Sequence, residues 1–405
     1  MNGRVIRWNM LVLAACFVPY AAVWQLVVSV SPLAAASLTG NPALAGLALT
    51  AATLGGAVAT VPGGRLMDAG GRRAGISTGF AIAALGMLIA LVSLRAAAPI
   101  LFFVGLFFFG GGSSIIALAR VAAADMYAPE RRARAVGVVL IGTAVGAGVG
   151  SLVFTPLLRG QLADAEGLVL PWLIAAAFLM TSAAAIWLIR VDPLTIARAM
   201  RQNATATRAF DLRGVGIVLR RPDLRAAFTG AIAANVAMSA SMPTMSLELH
   251  HRGHDLGDIS VALGSHLVGM YVFAPYSGVL VDRIGRRASL IMGLGVLSLA
   301  VTGVLSAGLS VVVPAMFFVG AGWNIAYVAS TALVADAAEP EERGLALGSM
   351  DLVATLASAA MSAAAPAILS GAGLGTVVSV AAAFAAVPAI LLVLSRRRAP
   401  VAVGA

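Results

Sequence analysis

The chain has 405 residues, 60% of them apolar and only 11% charged, with a mean hydropathy of +0.97, far from the composition of soluble globular domains. A net charge of +10 would suit a nucleic-acid partner, but the 27 basic residues are all arginines in short turns between apolar runs, with no basic face interleaved with aromatics. The single cysteine, Cys16, excludes a disulfide framework and a paired-cysteine metal site, and no phosphate-binding loop, HExxH or GxSxG motif is present for covalent chemistry.

A helix needs about 20 mainly apolar residues to cross the ~30 Å hydrocarbon core. Twelve runs meet that need: 10–31, 43–66, 75–94, 99–124, 135–157, 168–189, 224–247, 259–281, 289–307, 311–335, 345–369 and 374–394. At the start, Arg4 and Arg7 precede LVLAAC in the manner of a lipoprotein signal, but apolar sequence continues to Val30, so this reads as a retained first span entering from the cytoplasm. With both termini inside, cytoplasmic loops take 23 arginines and outer loops take Arg95, Arg159 and Arg252, while Arg120 lies within span 4. That asymmetry predicts a multi-pass protein of the cytoplasmic membrane with both termini cytoplasmic. The expected domains are a six-helix bundle over 1–190, a cytoplasmic linker over 191–222 and a second six-helix bundle over 223–405. In the linker, RAMRQNATATR reads equally as a helix on the membrane surface or as a basic tether. Trp8, Trp172 and Trp187 fall near span ends, where interfacial anchors are expected.

Between spans 2 and 3, GGRLMDAGGRRA contains Gly64, Leu66, Asp68, Gly71, Arg72, Arg73 and Ala74. Between spans 8 and 9, SGVLVDRIGRRA repeats them as Gly278, Leu280, Asp282, Gly285, Arg286, Arg287 and Ala288. A second pair follows spans 4 and 10: Asp125, Pro129, Glu130, Arg132, Ala135 and Gly137 recur as Asp336, Pro340, Glu341, Arg343, Ala346 and Gly348. Two repeats in matching places define a duplicated six-plus-six plan. The glycine, aspartate and paired arginines resemble motif A of the major facilitator superfamily, with Ala69 replacing the usual basic residue after Asp68. The resemblance implies an all-α membrane fold of two pseudo-symmetric six-helix bundles around one midplane site. It further implies secondary active transport of a small organic solute by alternating access, with proton coupling and efflux as its finer reading, by a monomer without cofactor, resident metal or nucleic-acid partner. Uptake of an anionic metabolite through Arg120 and a non-transporting sensor on the same scaffold stay open as alternatives; an enzyme is not expected. In that family the motif A turns are cytoplasmic latches, so Gly64, Asp68, Gly71 and Arg72 would grip Asp125 and the start of span 11. Asp282, Arg286 and Asp336 would form the second latch beside span 5.

Polar residues within spans usually face the bundle interior or a wet cavity. On span 7, Asn235, Met238, Ser239 and Met242 share one helical face. Span 10 offers Trp323, Asn324 and Tyr327, span 1 offers Tyr20, Trp24 and Gln25, and span 4 offers Ser113 and Arg120; these four spans line the cavity in the resembled family. Each such residue also has a plainer role as a helix-to-helix hydrogen bond. Arg120 reads as half of an ion pair with Asp125 or Asp351, or as an anion site. Asp351 and His266 are the titratable candidates for proton coupling. His250, His251 and His254 sit beside Asp255 and Asp258 in an outer loop, where an exposed polar loop is the preferred reading over a metal site. The glycines of GVVLIGTAVGAGVGS on span 5 predict close helix approach and also resemble an exporter motif that lacks its proline here.

Overall fold

The computed structural model describes residues 3–128, 131–161, 165–200, 216, 220–272, 274–306, 308–339 and 342–396. Pro129, Glu130, Pro340, Glu341 and most of the linker, including QNATATR, lie outside the described residues. No strand occurs among the described residues.

The first six spans are Gly3–Thr39, Leu47–Gly70, Arg72–Ala96, Pro99–Ala117 continued by Ala119–Asp125, Arg132–Leu158 and Ala165–Ala185. A short helix, Pro193–Met200, then starts the connection to the second half. The other spans are Arg225–His251, Leu256–Val272 continued by Ala274–Ile284, Arg286–Gly303, Leu309–Ala337 and Arg343–Arg396. The last of these is two spans meeting at Gly373, whose φ of 78° and ψ of 169° are open mainly to glycine. Among the described residues eight helices are long and apolar enough to cross a membrane, or nine if the two pieces of span 8, bent by 59°, count as one. Spans 7 and 9 fall short of that test. Span 7 carries Asn235, Ser239, Ser241, Thr244, Ser246 and Glu248, and span 9 is only 18 residues long with two arginines at its start.

Small residues set how closely helices approach. A Cβ on Gly142 or Gly146 of span 5 would stand 2.3 Å from the carbonyl oxygen of Ala14 or Val18 on span 1, so the glycine run is a packing face. Trp172 corrects an expectation: it is fully buried against Phe102, at a ring distance of 6.3 Å, and is core rather than an interfacial anchor. Trp8 and Trp187 are exposed, and their indole N–H groups donate to the Leu188 carbonyl and the Ser77 hydroxyl.

The hydrogen bonds that tie the two halves together, among the described residues, gather at the end remote from the termini. Thr50 donates to the Ala359 carbonyl at 3.0 Å, Ser246 to the Ser29 carbonyl at 3.1 Å, and the Gly160 N–H to the Asp255 carboxylate at 3.1 Å. The halves therefore meet at that end.

Candidate functional site

A cavity of about 210 Å³ opens between the halves, walled by Tyr20, Trp24, Thr143, Met238, Met242, Met270 and Tyr271 of spans 1, 5, 7 and 8. Tyr20 accepts a 2.7 Å hydrogen bond from the Trp24 indole N–H and donates to the Ser113 carbonyl at 3.4 Å, which fixes both rings. Trp24 packs edge-on against Phe109 at 5.1 Å. The face is thus aromatic and thioether surface with few polar atoms.

Toward the end that carries the termini, span 4 breaks at Leu118, two residues before Arg120. Arg120 is exposed, its Nε donates to the Ala117 carbonyl at 3.1 Å, and its charge acts on Tyr20, Tyr271, Tyr327 and Asp351, groups from both halves. The ion pairs expected for it do not form. Asp125 is taken by Arg72, and Asp351 accepts a 2.6 Å hydrogen bond from Tyr327. Tyr327 is stacked on Trp323 at 5.1 Å and 9°, so this mouth holds an aromatic pair, a carboxylate and a guanidinium that makes no ion pair among the described residues.

Of the other residues singled out in the sequence, several lie elsewhere. Gln25 is buried and bonded to Ser260 across the closed end. Asn235 donates to the Ala231 carbonyl of its own helix, Asn324 is bonded by Ser277, and Ser239 is bonded to Ser358, joining span 7 to span 11. His266 is fully buried beside Gly320, and neither ring nitrogen completes a hydrogen bond, although the Met316 backbone is close enough to act on it. It sits one helical turn before Met270 on span 8, as Met238 sits one turn before Met242 on span 7. That matched spacing was the sequence signal for Met270, which the reading of single spans passed over; Tyr271 and Thr143 carried no comparable signal.

At the terminal end, Arg72 bonds Asp68 at 2.7 Å and Asp125 at 2.9 Å, and Arg286 bonds Asp282 at 2.9 Å and Asp336 at 3.0 Å. Both turns need glycine: Gly71 has φ 94° and Gly285 φ 88°. A Cβ on Gly71 would lie 2.7 Å from Asp192 Oδ2, because the Asp192 carboxylate accepts from the N–H groups of Arg72 at 3.1 Å and Arg73 at 2.9 Å. It also accepts from the Leu194 N–H at 2.8 Å, so one carboxylate caps two helices. An aspartate before a proline is a helix-start signal, and Asp192 in VDPL was legible as a cap though not as a partner of motif A. Gly64 has open space around it, and among the described residues the start of span 11 makes no hydrogen bond or ion pair to Asp68 or Arg72. In the outer loop, His254 meets Asp258 at 3.0 Å while Asp255 is engaged by backbone N–H groups, and no three His, Cys, Asp or Glu side chains gather among the described residues.

Two helical halves that meet at one end and hold a cavity between them define a membrane carrier. The chain belongs to the Major Facilitator Superfamily, whose pattern it matches over residues 13–252 and 227–404. It is 31% identical over 346 residues, 82% of this chain and 78% of the other, to the uncharacterized MFS-type transporter YddS of Bacillus subtilis. It is 27% identical, over 87% of this chain and 86% of the other, to the riboflavin transporter RfnT of Brucella anthropi. A bacterial homolog of the human lysosomal transporter Spinster, in an inward-facing and unoccupied conformation, shares the fold at a TM-score of 0.70 and 14% identity, covering 98% of both chains.

Proposed function

We propose that the protein is a secondary active transporter of the cytoplasmic membrane that works by alternating access, with both termini in the cytoplasm and the present structure in its inward-open form. The carrying observation is the cavity between the halves, with the hydrogen bonds between halves, among the described residues, gathered at the arginine-poor end. In this reading the moving parts are the bundles over 1–190 and 223–405, joined by the linker over 191–222, and the Asp68–Arg72–Asp125 and Asp282–Arg286–Asp336 clusters are the inner latches that engage when the halves close.

The wall chemistry favours a soft monovalent cation, such as copper(I), as substrate. Met238, Met242 and Met270 supply three thioethers, His266, whose ring nitrogens have no hydrogen-bond partner among the described residues, stands one helical turn before Met270, and soft sulfur ligands select such ions over hard ones. The faces of Tyr20, Trp24 and Tyr271 add cation–π attraction. A cavity of about 210 Å³ is also below the roughly 300–1,000 Å³ that drug-sized ligands occupy. Uptake of radioactive copper under reducing conditions tests this. Leucine at positions 238, 242 and 270 preserves volume and should remove transport, whereas undiminished copper movement in the triple variant rejects the cation. The relative that carries riboflavin and the aromatic wall favour a second reading, a flat organic solute, which the same triple variant would still move. An anionic metabolite held by Arg120 predicts instead that Arg120→Gln alone abolishes transport.

Asp351 is the proposed proton site, since it stands in the mouth, bonded to Tyr327 and under the charge of Arg120. Protonation there changes which open state is favoured. In liposomes, Asp351→Asn should lose gradient-driven movement and keep exchange at equal pH. Equal loss of both modes, or of neither, rejects coupling at this residue, and the sign of the driving gradient decides export against uptake.

A further inference from the structure

Gln25 was expected at the substrate site, yet it is fully buried at the closed end between spans 1, 5 and 8. Its Nε2 donates to the Ser260 carbonyl at 2.9 Å and the Ser260 hydroxyl at 2.7 Å, and Thr155 of span 5 donates to that hydroxyl at 3.2 Å. A carbonyl can only accept, so the orientation of the amide is fixed. The slot that holds it is made by two glycines, one from each half. A Cβ on Gly150 would come within 2.8 Å of Gln25 Oε1, and one on Gly264 within 3.2 Å of Nε2. Beyond it, toward the closed face, the Gly160 N–H donates to Asp255.

We propose that Gln25 is the pin of the outer gate, a neutral hydrogen-bonded plug that locks span 1 to Ser260 in the inward-open state and leaves it when the outer ends part. This rests on the alternating-access reading. The amide is only half satisfied by the described residues, among which the buried Oε1 has no hydrogen-bond partner. A buried acceptor left unpaired weakens the closed state, and opening returns that oxygen to water, so the seal is firm in geometry but reversible in energy. Gln25 therefore acts on the equilibrium between states and not on the affinity of the cavity, whose wall it does not join.

The test uses full-length protein in liposomes, with spin labels at exposed Gln161 and His251, on opposite halves at the closed end, and copper(I) as the binding probe. Gln25→Met keeps the shape and loses the donors; Gly264→Ala keeps the amide and crowds its slot. Both should add a longer label distance and raise the outer-open population roughly tenfold, the effect of about 1.4 kcal/mol, with probe affinity for the competent state unchanged. If the distance distribution stays that of the wild type in both variants while binding or transport is lost, Gln25 is a ligand or structural residue and the pin is rejected. If Gln25→Met does not fold, Gly264→Ala and Ser260→Ala decide the matter alone. Failure of alternating access reads differently: labels at the inner ends would then also stay fixed in every variant, Asp68→Asn included, and the pin would fall with it.

Discussion

Gly46 offers a direct test of which end is closed. It begins span 2 with ordinary helical angles, φ −66° and ψ −22°, so alanine strains nothing locally. Its Cβ, however, would stand 1.8 Å from the Ser362 carbonyl oxygen of span 11 and 3.0 Å from Pro366 Cδ, so reaching an ordinary 3.4 Å contact means spans 2 and 11 separating by about 1.6 Å. The obstacle is backbone and has no rotamer to yield. Overpacking of this kind costs about 1–3 kcal/mol, and because the contact exists only when the outer ends meet, the cost falls on one state and shifts the equilibrium roughly 5- to 150-fold toward outward-open. The assay is labelling of a cysteine at Val28, a cavity residue, by a membrane-impermeant reagent added outside intact cells, with Cys16 replaced by serine. Gly46→Ala should raise the external labelling rate by that factor while the protein stays monodisperse. An unchanged rate in folded protein would refute the closed-end assignment.

Loss of the Asp192 cap through Asp192→Ala should destabilise the fold by about 0.5–2 kcal/mol, read as a lower unfolding temperature, and should weaken the inner latch, while Asp192→Asn keeps most of both. Cysteines at Ala204, outside the described residues, and at His251 should label from the inside and the outside respectively; labelling of both from outside would reverse the topology. For Asp255, burial raises the carboxyl's pKa, but N–H groups of Asp258, Gly160 and Gly257 and the charge of Arg159 outweigh it and hold it below the ordinary range. A depressed carboxyl lends stability that is present above its unfolded pKa and is lost as pH falls through its folded value. External acidification below the carboxylate range should therefore loosen the outer seal in the wild type and have no such effect in Asp255→Asn.

Much of the fold was legible because bilayer physics writes itself into composition. The run lengths, the arginine asymmetry and the two repeats each follow from burying helices in hydrocarbon. Span 7 is the instructive case: it reads as the least apolar of the long runs because one face meets a cavity and others exchange hydrogen bonds with spans 1 and 11. The stripe Asn235, Met238, Ser239 and Met242 was visible in sequence, but its members divide in space. The methionines reach the cavity, Ser239 joins span 11, and Asn235 turns back on its own helix. One helical face spans about a hundred degrees, wide enough to serve several neighbours. For the same reason Gln25, one residue from Trp24, points to the seal instead of the cavity.

The two gates differ in kind, and the difference follows from where each must open. At the inner end the proposed latches are charged and intramural: Arg72 and Arg286 each hold two carboxylates of their own half. The pairs to Asp68, Asp282 and Asp336, whose carboxylates are exposed, contribute little individually and can be regrouped at small cost, whereas Arg72 and Asp125 are both largely buried and make the firmer contact. At the outer end the contacts are short, mostly neutral and between halves, through Gln25, Ser260, Thr155 and the bare backbone at Gly46. Neutral hydrogen bonds in a dry seam are steeply dependent on distance, so a separation of an ångström or two ends all of them together. On the proposed alternating-access reading, a soft inner side and a brittle outer one give two definite states rather than a continuum, because the seam at Gln25 would be either made or broken.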